Sequence, residues 1–198
     1  MALTKLNNKA VANVTSIPVA LGDMVLVSSA TASSSASIEF TLGNYKEYQF
    51  YFVNLHPSVD NATFEMNFST DNGSNYNVTK TTTFFQAYHF ENGAATNLQY
   101  SASADLAQST GEQRIISGID DDNDSSGSGF ISVFNPSSTT FVKHFISQCN
   151  TVYPETPNLC VQQYVAGYAN TTSALTNIRF QMSSGNIDAG TILMYGIN

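Results

Sequence analysis

Two cysteines, three histidines and one acidic run are the residues of this 198-residue chain whose types and spacing suit chemistry. Cys149 and Cys160 bracket Asn-Thr-Val-Tyr-Pro-Glu-Thr-Pro-Asn-Leu, where two prolines mark a loop between adjacent strands. If those strands form a hairpin, the sulfurs meet at its mouth, and an oxidised pair would stabilise the fold by roughly 2–4 kcal/mol. In a reducing cytoplasm the same residues stay two unpaired thiols. In Asp120-Asp121-Asp122-Asn123-Asp124 the carboxylates at 120, 122 and 124 have the spacing that opens a calcium loop. Ser125 and Ile131 stand where an EF-hand places Gly and Glu, so the run reads as a solvated acidic loop, with weak calcium binding as the alternative.

His56, His89 and His144 are dispersed, and His144 falls in a strand beside Val142 and Ile146 as a core or cross-strand residue. No Gly-x-Ser-x-Gly elbow is present, and no phosphate-cradling glycine loop. Glu65, Glu91 and Asp105 are isolated, so nothing pairs carboxylates for glycoside hydrolysis. The sequence supports no enzyme, cofactor or closed metal site. Its remaining chemical resource is aromatic: ten Tyr, thirteen Phe and no Trp. Tyr76, Tyr88 and Tyr153 fall at strand ends or loops. A tyrosine ring there stacks on a sugar or fills an interface pocket, because it offers much amphipathic contact for little lost entropy. Sheet-edge packing is the plainer use of the same rings.

The elements that position these residues are strands. Charged residues make up 11% of the chain, against about 25% in ordinary globular domains, and serine, threonine and asparagine take their place. Such a surface suits pleated strands and close subunit contacts, since neutral polar groups cost less to desolvate than charges. A net charge of −8 and seven scattered Lys and Arg exclude a phosphate-tracking stripe, and hence nucleic acid and anionic membrane surfaces as partners. No secretory signal is legible between Val11 and Val27, so the chain is expected to be made in a cytoplasm and not exported by the general route.

Glu47–Leu55, Thr63–Phe68, Val78–Phe85, which Gln86–Phe90 either continues or bends, Leu98–Ser103, Gln113–Ile119, Gly129–Asn135, Thr140–Ser147, Cys160–Tyr168, Asn177–Ser183 and Thr191–Ile197 read as strands separated by Asx, Ser and Gly turns. Thr63–Phe68 and Val78–Phe85 read as a hairpin across the turn at 69–75, and Asp105–Gln108 as one helical turn. About ten strands without a helical period indicate an all-β, two-sheet β-sandwich, of jelly-roll type. Residues 1–37 read as an extended N-terminal arm, with Met24–Val27 strand-like and Ser28–Ser37 a linker. The sandwich takes 38–198. Leu3, Leu6, Val11, Val14 and Ile17 are the apolar positions with which the arm would anchor.

Four stretches carry a resemblance. The opening Met1-Ala2-Leu3-Thr4-Lys5-Leu6-Asn7-Asn8 resembles the start of bacteriophage appendage proteins, notably of marine and cyanobacterial phages. The run from Tyr76 to Phe85, the stretch from Asn135 to His144 and the ending from Ser184 to Ile197 look like virion structural proteins of that kind. The resemblance implies a capsid- or tail-attached virion protein, commonly trimeric and displayed on the particle: a short fibre, knob or decoration protein. Its partners would be other virion proteins, either capsid or tail adaptor. The alternative role is a receptor- or glycan-binding module for host attachment.

Overall fold

The computed structural model describes residues 24–198. Twelve strands and no helix occur among them: β1 Met24–Thr31, β2 Ser37–Thr41, β3 Glu47–Pro57, β4 Ala62–Ser69, β5 Lys80–Phe90, β6 Thr96–Tyr100, β7 Gln113–Ile119, β8 Gly127–Phe134, β9 Lys143–Tyr153, β10 Leu159–Ala169, β11 Asn177–Met182 and β12 Ile187–Ile197. All pair antiparallel, in two sheets that form a β-sandwich. The larger has eight strands in the order β1-β12-β3-β8-β9-β10-β5-β6, and the smaller has four in the order β2-β11-β4-β7.

Alternation along the strands builds the core, because every second side chain of a strand points to the same face. Ile178, Phe180 and Met182 of β11 are buried, as are Tyr48, Phe50 and Phe52 of β3 and Phe64, Met66 and Phe68 of β4. Phe180 is the hub. Its ring centroid lies 5.4 Å from Phe50 and 5.2 Å from Phe52 on the facing sheet, and 6.3 Å from Phe40 and 5.6 Å from Phe64 on its own. Three of these pairs are edge-to-face, the geometry that aromatic quadrupoles favour.

At the margin of the small sheet the packing turns polar. The buried Gln163 amide on β10 donates to Ser117 O at 2.9 Å and accepts from Ser117 N at 2.8 Å. That contact clamps β7, the edge of one sheet, onto the other. Buried Gln113 accepts from the Thr82 hydroxyl at 2.6 Å and donates to Ala104 O and Arg114 O. Two lysines are wholly buried. The Lys80 Nζ donates to Asn67 Oδ1 at 2.5 Å and Val78 O at 2.8 Å, and burial lowers its ammonium to about 8. The Lys143 Nζ donates to Thr171 O and Ser173 O, and burial lowers it too. Desolvation disfavours the charged amine in both cases, while the carbonyls keep its protons satisfied.

Several sequence expectations are corrected. Ser28–Ser37 is not a linker: β1 runs to Thr31, pairs with β12, and is followed by backbone bonds from Ala32 to Gly190 and between Ser35 and Ile187. Its small polar side chains hide a strand that is held by backbone pairing. Thr63–Phe68 and Val78–Phe85 do not form a hairpin. β4 lies between β11 and β7, and β5 between β10 and β6, so segment 70–79 crosses from one sheet to the other. Asp105–Gln108 is not helical; the Leu106 carbonyl accepts from Thr82 N, and Leu106 N donates to the Thr82 hydroxyl. Residues 1–23, with Leu3, Leu6, Val11, Val14 and Ile17, lie outside the described residues.

Because Phe180 joins both sheets, Phe180→Ala is expected to destabilise the sandwich by about 3–5 kcal/mol. Chemical denaturation measures it, with a change at an exposed loop position such as Thr172→Ala staying within about 0.5 kcal/mol as the comparison.

Candidate functional site

The site forms where the large sheet outruns the small one. On β5 the inward positions Lys80, Thr82 and Phe84 are buried, whereas Gln86, Tyr88 and Phe90, further along the same face, are only partly covered. Register puts Tyr88 beside Val161 and Phe90 beside Leu159 on β10, and Leu159 beside Tyr153 at the end of β9. The β9–β10 turn carries Glu155 to the rim. These seven residues line an open depression of about 220 Å³. That is smaller than the roughly 300–1,000 Å³ that encloses a drug-sized ligand, and its scale suits one unit of a larger ligand held at the surface.

Each wall has a local cause. The Tyr153 ring packs against Gly118, where a Cβ would sit 2.2 Å from the ring and where φ is +69°. Glycine is therefore required there for space and for backbone. The Tyr88 and Phe90 rings meet edge-to-face at 6.0 Å. The turn beneath Glu155 is tied down by Asn158, whose amide donates to Asp120 Oδ2 and whose carbonyl accepts from Glu91 N. Chemically the groove offers aromatic faces, an apolar floor of Leu159 and Val161, a carboxylate and an amide. Aromatic faces take the C–H surface of a sugar, and carboxylate and amide groups bond its hydroxyls. Nothing in this set activates a nucleophile.

Of the three tyrosines singled out from the sequence, the fold brings Tyr88 and Tyr153 together and places Tyr76 elsewhere. Tyr76 packs under Arg179, whose guanidinium stands 4.5 Å above its ring and bonds Glu112 at 2.7 Å. Burial pushes the Tyr76 phenol up to about 12. Its loop is set by Asp71, which accepts from Ser69 and from the backbone and side chain of Asn75, and these bonds hold the carboxyl down to about 2. Sequence reasoning missed Gln86, Phe90 and Glu155. The first two share the face of Tyr88 at spacing two, a signal that emerges once β5 is read as one strand through Phe90.

Cys149 and Cys160 are both free. In the β9–β10 register Cys149 stands opposite Gln163 and Cys160 opposite Val152. Three residues separate Cys149 from Val152, so the two sulfurs point to opposite faces of the sheet, and the bridge at the hairpin mouth is not formed. Cys149 is buried, which pushes its thiol up to about 12. The acidic run does not present 120, 122 and 124 together. Asp60, Asp120 and Asp121 converge instead, with ligand atoms within 4.8 Å of one another. Asp120 is occupied internally, accepting from Asp122 N, the Ser125 hydroxyl and Asn158. His144 is exposed, not a core residue, and tilts against Tyr168 across the strand pair. His56 bonds Asp122 O at 3.3 Å, and His89 stands opposite Cys160.

No protein-family model, curated protein or solved structure matches this chain.

Gly118→Ala is expected to expel the Tyr153 ring from its seat, and the aromatic NMR shifts of Tyr153 should move while those of Tyr51, on the opposite face of the sheet, stay in place.

Proposed function

We propose that this chain is a bacteriophage virion protein displayed on the particle surface as a short fibre, knob or decoration protein, with residues 1–23 as its anchor. The observation that carries this reading is strand order. With the hairpin partners β5–β6 and β9–β10 set aside as insertions, the remaining strands read β1-β12-β3-β8 and β2-β11-β4-β7. That order matches the strand order of a jelly roll, the architecture of many viral capsid and lectin domains, and so supports the reading. The sequence resemblance and the surface rich in neutral polar groups support the same reading. Because β1 starts at Met24, a chain lacking residues 1–23 keeps all twelve described strands. It is expected to fold with the intact chain's melting transition yet to be missing from particles assembled in its presence. Incorporation at the normal level would contradict the anchoring role.

The groove supports a second role on the same scaffold: attachment to host-surface glycans through Tyr88 and Tyr153, with Glu155 and Gln86 bonding hydroxyls. Tyr88→Ala and Tyr153→Ala should each weaken binding to purified host surface polysaccharide by about tenfold or more, the size expected of an aromatic anchor at a contact centre. Tyr76→Phe, away from the groove, should not. Equal binding by all three variants would rule the groove out.

A further inference from the structure

The face of the eight-stranded sheet turned away from the core carries an aromatic row. Following the strand registers from β3 outward, Tyr51 stands beside Phe130, then Gln148, Tyr164, Phe85 and Tyr100. Tyr51 and Phe130 lie 6.2 Å apart, and Phe85 stacks on Tyr164 at 4.8 Å. The next rows add Ile146, 50% exposed, and Leu98, 69% exposed. Among the described residues of this face, Glu47 is the single formally charged group across β3, β8, β9, β10 and β5. The small sheet covers the other side, and none of the described residues buries this one.

We infer that this face is the contact between copies of the chain. Its composition is that of an interface core: aromatic residues enriched and charges depleted. Its area also fits. Seven strand spacings of about 4.8 Å and strands of about 25 Å give about 800 Å², and a stable interface takes about 800 Å² from each partner. Charge selects the occupant. At a net charge of −8, two copies repel over most of their surfaces, and this face, with Glu47 alone on five of its strands and Asp188 at one end of β12, is where they meet burying the fewest like charges. The inference goes beyond the virion reading and does not depend on it, since it concerns the chain in solution.

The experiment is light scattering on the full chain after size exclusion, at micromolar concentration and moderate salt. The expected mass is at least twice 21.4 kDa. Ile146→Arg and Phe85→Arg, at exposed positions of the face, should return the mass to a single chain with unchanged far-UV circular dichroism. Val59→Arg, equally exposed but outside the face, should leave it multimeric. Hydroxyl-radical labelling of the unmodified chain gives a second readout that needs no variant: Tyr100 and Phe85 should be protected as concentration rises, while Tyr88 stays reactive. A monomeric chain, arginine variants that remain multimeric, or labelling of Tyr100 and Phe85 that ignores concentration would each overturn the inference. That includes the case in which the face is covered by a different virion protein or by a glycan, where the free chain is monomeric.

Discussion

A sheet of four strands faces a sheet of eight, and the remaining features of the molecule follow from how that inequality is managed. Where the two overlap, apolar side chains from both meet at Phe180 and the packing is dry and aromatic. At the limit of the overlap the edge strand β7 has backbone groups with no strand beside them. Buried and unpaired, such groups would cost as much as lost hydrogen bonds. The Gln163 amide meets them with its own donor and acceptor, and Gln113, Thr82 and Lys80 close the rest of the margin. Beyond it no described residue covers the large sheet. One uncovered surface is the groove at Tyr88 and Tyr153, and the other is the whole outer face.

Both surfaces owe much to the same two hairpins. The β5–β6 and β9–β10 hairpins widen one sheet without a counterpart in the other. Their inward positions supply the groove, and their outward positions supply Gln148, Tyr164, Phe85 and Tyr100. The two hairpins thus supply the groove proposed to hold a ligand and part of the face proposed to meet a neighbour. The near absence of charge suits both uses, since sugars and sheet faces are desolvated against rings and amides at lower cost than against ions.

Much of this was legible in the residues. Alternation in Ile178-Arg179-Phe180-Gln181-Met182 marks a strand and names its buried face, and the Asx- and Gly-rich segments fall between strands as turn chemistry requires. Partnership was not legible. Alternation tells which side chains point inward but not which strand lies alongside, so Phe64 and Phe84 read as one hairpin when they belong to different sheets. The cysteines failed for the same reason: whether their sulfurs meet depends on register parity, which ten intervening residues with two prolines do not fix. β1 was half hidden, because Ser28, Ser29 and Thr31 contribute backbone bonds and little apolar surface. Of the site, Tyr88 and Tyr153 were visible as types, while their convergence needed the β9–β10–β5 register and the gap left by the small sheet.

The central claim is that the chain is displayed on a phage particle with its groove outward and its large sheet against a second copy. Electron cryomicroscopy of purified particles tests it most directly. Density for this sandwich is expected on the particle surface, with residues 1–23 against capsid or tail protein, Tyr51 and Tyr164 buried between copies, and Tyr88 and Tyr153 open to solvent. Particles that lack the chain, or that hold it with the groove sealed and the aromatic row exposed, would contradict the claim.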